Sequence, residues 1–340
     1  MRRGSRSGMF TFVAVHSTLR GPAVGGCRMW VYDDSRSALR DVLRLSRAMT
    51  LKAAVADLPL GGGKGVIMID PSARLTPRRR RAALLDFADT VQTLAGHYIT
   101  AEDVGTSSRD MDLIAQRTRH VSGLARTRGG GGDPSPHTAL GVEHAIRACC
   151  EWAFSSSSLK GRSVCVVGLG HVGSRVLRRC ARAGARLTAA DVVPGRRALA
   201  ERVGARWMTP ERALEAKVDV LVPCALGSVF DDETVPRLRC RVIAGAANNQ
   251  LAREGIADLL AGRGILWAPD FVVNAGGLIN IAVELGGYDA PLARRRVRAI
   301  GDTLREIFSD AESSGVTPLT AAMERAHRRL NTAASVPAPT

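Results

Sequence analysis

The 340-residue chain carries 48 Lys and Arg against 32 Asp and Glu, a formal net charge of +16, with 45% hydrophobic and 4% aromatic residues. That balance describes a globular protein long enough for two ordinary domains, and no apolar run approaches the roughly 18 residues of a membrane span. The charge raises the question of nucleic acid, but the arginines are spread along the chain and the aromatics are too few to stack bases, so no nucleic-acid partner and no membrane is expected.

The start, MRRGSRSGMF, is basic yet lacks the apolar core of a secretory signal, which places the protein in the cytoplasm. Residues 9 to 16 (MFTFVAVH) read as a strand, GPAVGG at 21 to 26 as a glycine loop, and Ser37 to Met49 as a helix with Leu39, Val42, Leu43 and Leu45 at helical spacing. A GGGK loop precedes a short strand, Val66 to Ile69, closed by Asp70-Pro71. A basic helix is expected from Pro77 to about Leu94, then a strand and loop through His97 to Thr106. Arg128-GGGGDPSP-His137 is the clearest loop and suits a domain boundary.

Helix follows from Thr138 to Phe154, and from Lys160 strands and helices alternate regularly. Val164 to Val167, Leu187 to Ala190, Val218 to Val222 and Val242-Ile243 are the strands, and Gly173 to Ala183 is a helix. Such alternation predicts a doubly wound parallel sheet. The last 60 residues read as helices, with Arg294 to Arg298 on a solvated face and a disordered VPAPT tail. The fold class expected is α/β in two domains with C-terminal helices. Seven cysteines, odd in number and without a C-x-x-C pair, read as reduced core thiols; no metal site is expected.

Gly168-Leu-Gly170-His-Val-Gly173 follows an apolar strand and opens a helix. Glycines there permit the tight turn and the close approach of a pyrophosphate to the helix N-terminus. Asp191, 18 residues beyond Gly173 at the end of the next strand, is placed to bond the ribose hydroxyls of NAD. Arg196 and Arg197 follow closely and leave room for NADP.

Only four lysines occur, at 52, 64, 160 and 217. An ammonium can give up its proton where a guanidinium cannot, so Lys52 and Lys64 around Gly61-Gly62-Gly63 stand out. Lys52 can pair with a substrate carboxylate. Lys64, near that cation and under glycine-rich backbone, is placed to serve as a general base, and Asp103 can exchange a proton with a substrate amine. Each residue also has a plainer reading, a solvated loop tip or a turn cap.

Six blocks, GPAVGGCRMW, MTLKAAVADLPLGGGKGVI, YITAEDVGTSSRDMDLI, PCALGSVFDDETV, VIAGAANNQL and APDFVVNAGGLINIAVE, occur in the order found in the Glu/Leu/Phe/Val dehydrogenase family. The chain resembles that family from about residue 9 to about 330, its leucine and valine dehydrogenases most. The resemblance implies an N-terminal substrate and oligomerisation domain (1–138), a Rossmann-type NAD-binding domain (139–285) and C-terminal helices (286–340) packing back across the cleft. It implies reversible NAD-dependent oxidative deamination of an L-amino acid to a 2-oxo acid and ammonia by a homo-oligomer.

Residue by residue, the resemblance gives Lys64 the role of base and Asp103 that of proton shuttle. Lys52 would hold the α-carboxylate with Gly26 and Met49 nearby, and Ser122 and Pro134 would border the site. Thr138, Asn249 and Asn274 would meet the nicotinamide half, and Gly168, Gly170, Gly173 and Asp191 the adenosine half. Val24, Ala101, Leu278 and Ile281 would line the side-chain pocket; all are aliphatic, which favours Leu, Val or Ile over glutamate and leaves an aromatic substrate open. The chain departs from the family's pattern in its short start, in Asp133 where Asn is usual, and in Val283 where an acid is usual. A catalytically silent sensor is the rival reading, against which the joint presence of Lys52, Lys64 and Asp103 counts.

Overall fold

The computed structural model describes residues 1–72, 74–225 and 227–334, so the VPAPT segment lies outside the described residues. The chain divides into two compact units. The first comprises Met1–Pro134, Asn280–Ala290 and the chain from Ala326; the second comprises Ser135–Ile279 and Pro291–Arg325.

In the first unit, β1 (Arg2–Arg3), β2 (Phe10–Ser17), β3 (Ala23–Val31), α1 (Ser35–Val55), β4 (Gly61–Ile69), α2 (Pro77–Gln92), β5 (Tyr98–Glu102) and α3 (Ser108–Ile114) follow in order. The five strands form one mixed sheet in the order β1-β2-β4-β3-β5, with β3 parallel to both β4 and β5. Phe87, Tyr98, Ile67, Met111 and Ile114 are fully buried on one of its faces, and each such side chain is worth about 1.5–3 kcal/mol of burial.

Two segments expected to be glycine loops are strands. Residues 21–26 lead into β3 and Gly61 to Lys64 open β4. Glycine here serves close approach rather than turning. A Cβ on Gly25 would lie 1.7 Å from the Gly63 carbonyl oxygen, one on Gly62 2.1 Å from the Thr50 nitrogen of α1, and one on Gly65 2.4 Å from the Phe87 ring. The first helix also runs past its expected end at Met49 to Val55, capped at its start by Asp34, whose carboxylate accepts from Ser37 N. Lys52 is therefore helical.

The second unit contains α4 (Ser135–Phe154), β6 (Ser163–Val167), α5 (Gly173–Arg182), β7 (Arg186–Ala190), α6 (Arg197–Glu201), β8 (Arg206–Trp207), α7 (Pro210–Leu214), β9 (Val218–Pro223), β10 (Cys240–Ile243), α8 (Ile256–Gly262), β11 (Leu266–Trp267) and α9 (Asp270–Val273). After them come α10 (Gly276–Leu285), α11 (Ala290–Arg298), α12 (Ile300–Ser314) and α13 (Pro318–Ala334). Six strands pair in the order β8-β7-β6-β9-β10-β11, every recorded pair parallel. This is the doubly wound sheet, with its reversal of strand order between β6 and β9, where such sheets bind ligands.

Among the described residues no helix is long and apolar enough to cross a membrane, and no cluster of three metal-binding side chains occurs. The cysteines are free thiols, six of them buried and Cys224 partly so.

Candidate active site

The glycine turn of the second unit leaves β6 at its C-terminal end. Gly168 has φ +97°, a left-handed conformation that favours glycine. A Cβ on Gly173 would lie 1.9 Å from the Gly168 carbonyl oxygen, so α5 packs tightly on the turn; one on Gly170 would meet nothing within 4 Å. The backbone is thus closed against the sheet and open outward at Gly170, the shape of a phosphate cradle. Asp191 lies just past β7 and organises this turn: its Oδ2 accepts from Leu169 N at 2.6 Å and its Oδ1 from Val193 N at 2.8 Å.

Beyond β10, Asn249 sits at φ +51°. Asn274, capping α9, donates through Nδ2 to Ala246 O at 3.2 Å and Asn248 Oδ1 at 2.8 Å. Its own Oδ1 is buried with no hydrogen-bond partner among the described residues, an acceptor available to a carboxamide NH₂. Thr138 lies in the first turn of α4 and Leu278 on α10, both in this unit. A glycine cradle, an acid at the end of the next strand and an orphaned amide acceptor fit a nicotinamide dinucleotide.

The first unit gathers a separate set of charges. Lys64, only 5% exposed on β4, places Nζ 3.0 Å from Asp103 Oδ1, just past β5. Arg28, on β3 between those strands, donates through Nε to Asp103 Oδ2 at 3.0 Å. Its NH1 reaches Asp41 Oδ2 on α1 at 2.9 Å, and Tyr32 donates its hydroxyl to the same oxygen at 2.7 Å. Burial pushes the Asp103 carboxyl upward, but Lys64 and Arg28 outweigh it and hold the group below the ordinary Asp range. Burial and Asp41 push the Tyr32 hydroxyl up, which keeps it a donor. Lys64 was expected beside a cation; its partner is this carboxylate.

Other expected residues flank the pair. Gly26 admits Asp103, since a Cβ there would lie 2.7 Å from the Asp103 Cβ. Ala101 pairs in register with Gly26, and Val24 with Ile99. Ser122 donates its N–H to Thr100 O at 2.8 Å, and its buried Oγ has no partner among the described residues. Lys52 and Met49 sit, partly exposed, on the last turns of α1, whose backbone touches β4 at Thr50.

Ile281 is buried on α10, and Pro134 closes the first stretch of this unit. Glu284, on the same helix, accepts from Gly123 N and Leu124 N at 2.9 and 3.3 Å and from Gly131 N at 2.9 Å, fixing the glycine loop before Pro134. Sequence reasoning missed Arg28, Asp41, Tyr32 and Glu284. The arginine lay in a quoted block but had 43 others to hide among.

A dinucleotide cradle in one unit and a buried lysine–carboxylate pair in the other define the equipment of a nicotinamide-dependent oxidoreductase. Family profiles match it directly: Glu/Leu/Phe/Val dehydrogenase, dimerisation domain, over residues 1–120, and Glutamate/Leucine/Phenylalanine/Valine dehydrogenase over 195–335. A third, the NAD binding domain of D-isomer specific 2-hydroxyacid dehydrogenases, matches 143–228.

The chain is 42% identical to leucine dehydrogenase of Thermoactinomyces intermedius, over 97% of this chain and 89% of that one. It is 41% identical to valine dehydrogenase of Streptomyces virginiae, over 96% and 91%. It is also 41% identical to L-tryptophan dehydrogenase of Nostoc punctiforme, over 94% and 89%. The crystal structure of that tryptophan enzyme superposes with a TM-score of 0.81, covering 96% of this chain and 94% of the other at 39% identity. The chain belongs to the Glu/Leu/Phe/Val dehydrogenase family. It is an NAD-dependent amino acid dehydrogenase.

Proposed function

We propose that the protein oxidatively deaminates a branched-chain aliphatic L-amino acid (Leu, Val or Ile) to the 2-oxo acid and ammonia, reversibly, with NAD. The observation that carries this reading is the buried Lys64–Asp103 pair at 3.0 Å, set among glycines that let neighbouring backbone and the Tyr98 and Phe87 rings approach closely. NAD, held by the glycine turn of the second unit, would supply the acceptor for the hydride lost from the substrate's α-carbon. Lys52 holds the α-carboxylate, with Gly26 and Met49 beside it. Lys64 takes the proton of the water that adds to the imino acid, and Asp103 passes protons to and from the nitrogen that leaves as ammonia. Ser122 and Pro134 border this site, and Thr138, Asn249 and Asn274 hold the nicotinamide half.

The side-chain preference rests on Val24, Ala101, Leu278 and Ile281, all buried and aliphatic, with no charge to meet a γ-carboxylate. In this reading residues 1–138 bind substrate, 139–285 bind NAD, and 286–340 complete the enzyme as C-terminal helices. The match to a dimerisation domain supports a homo-oligomer. The free, buried thiols suit the reducing cytoplasm.

The test is NADH formation against a panel of L-amino acids. Leu, Val and Ile are expected to lead in kcat/KM, with discrimination among them of only about 10- to 200-fold, because one methylene in an apolar pocket is worth about 1–3 kcal/mol. Leading turnover of Phe or Trp would move the assignment to the aromatic branch, which the tryptophan dehydrogenase relative keeps in view.

Cofactor choice has its own test. Asp191→Ala is expected to weaken NAD binding by about 10- to 100-fold, the worth of a hydrogen bond to a charged group. It should narrow the preference over NADP, with Arg196 and Arg197 close by in sequence. Unchanged titrations of both cofactors would remove Asp191 from the site.

A further inference from the structure

We infer that Arg28 is a positioning residue of the site: its guanidinium, braced by Asp41, turns the Asp103 carboxylate so that Oδ1 faces Lys64. The inference rests on the proposed roles of Lys64 and Asp103 and extends them to a residue with no assigned part.

The geometry leaves each carboxylate oxygen one cation. Oδ1 of Asp103 meets Lys64 Nζ at 3.0 Å and Oδ2 meets Arg28 Nε at 3.0 Å. The outer edge of the guanidinium is taken in turn, by Asp41 Oδ2 at 2.9 Å, which also accepts from Tyr32 at 2.7 Å. Asp41 Oδ1 is held by Arg44 at 3.0 Å. The row runs from Lys64 through Asp103, Arg28 and Asp41 to Arg44, alternating in sign.

A planar fork donates to two carboxylates along directions fixed by its own geometry; an ammonium at 28, a compact charge on a flexible stem, would not hold them so rigidly. The side chains of Arg28, Asp103 and Asp41 are 19%, 19% and 16% exposed, so solvent screens these contacts only in part.

Other groups facing Asp103 do not substitute for Arg28. Lys64 comes from β4; the Cys27 thiol from β3 and the Tyr98 hydroxyl from β5 are held protonated by burial. Arg80 and Asp110 pair with each other beyond Cys27. Thr106 Oγ1 accepts the N–H of Asp103 at 2.9 Å and leaves its carboxylate alone. Without Arg28, Oδ2 loses its cation, the carboxylate is free to rotate, and the proton transfer Lys64 depends on loses its alignment.

The experiment compares kcat, KM and the kcat–pH profile of the full-length wild type with Arg28→Met, Arg28→Lys and Asp103→Asn, alongside NAD binding. Arg28→Met is expected to lower kcat by about 10- to 100-fold, the scale of a displaced catalytic group, with KM and NAD affinity near wild type. Its acid limb should move up by roughly one to three pH units, because an opposite charge at this range shifts a carboxylate by that much. Arg28→Lys should return the limb while kcat stays low.

A wild-type kcat and limb in Arg28→Met would overturn the inference. So would a uniform loss at every pH with the limb in place, which marks a merely structural role. If the Met variant does not fold, Arg28→Lys decides: a wild-type kcat there overturns the fork. Full activity in Asp103→Asn would instead sink the site reading itself, whatever Arg28 does.

Discussion

Replacing Lys64 by alanine is expected to lower kcat for amino acid oxidation by about 10²- to 10⁴-fold, the range of a general base, while NAD still binds. Lys64 Nζ is the amine that meets Asp103, and glycines at 61, 62, 63 and 65 offer no side chain to replace it. The loss should not be rescued by Lys64→Arg, since a guanidinium supplies charge and donors yet keeps its proton. Stopped-flow NADH absorbance at saturating substrate measures it. A kcat within a few-fold of wild type in either variant would remove Lys64 from the chemistry.

The largest loss of stability is expected from Gly25→Ala. The new Cβ would stand 1.7 Å from the Gly63 carbonyl oxygen and 3.0 Å from Lys64 N, both backbone atoms of the neighbouring strand. Those atoms cannot step aside. β3 is hydrogen-bonded between β4 and β5, and Tyr98 donates its hydroxyl to the Gly25 carbonyl at 2.5 Å. Overpacking a core commonly costs about 1–3 kcal/mol; an overlap with backbone on this scale should cost about 3 kcal/mol or more, with failure to fold as the extreme. Urea midpoints read the difference, and Gly170→Ala serves as the control, since its Cβ would meet nothing within 4 Å. Equal midpoints would mean that β3 and β4 can separate without penalty.

These two residues also mark where the sequence was legible. Lys64 stood out because lysine is rare in this chain and the neighbouring glycines are dense. The second unit was readable because apolar strands, glycine turns and amphipathic helices recur in a fixed rhythm, with the Gly168 turn and Asp191 falling just past β6 and β7. Gly25 and Gly61 to Lys64 were misread as loops. Glycine signals turns locally, whereas here its role is set by Thr50, Tyr98 and Phe87, residues distant in sequence that need its empty space. Arg28 went unnoticed for a related reason: what distinguishes it is the pair of carboxylates, at 41 and 103, that folding brings to its two edges.

The seven cysteines are distributed unevenly between the units. Cys27 is the one cysteine of the first; the other six belong to the second. Burial pushes each of these thiols up, Cys150 to about 11 and Cys165, Cys180, Cys224 and Cys240 to about 12. An alkylating reagent therefore reaches the six buried thiols only when a segment opens to water. The native molecule consequently carries its own pair of clocks: the labelling rate of Cys27 times the opening of the first unit's sheet, while that of Cys149, Cys150, Cys165, Cys180 and Cys240 times the opening of the second unit.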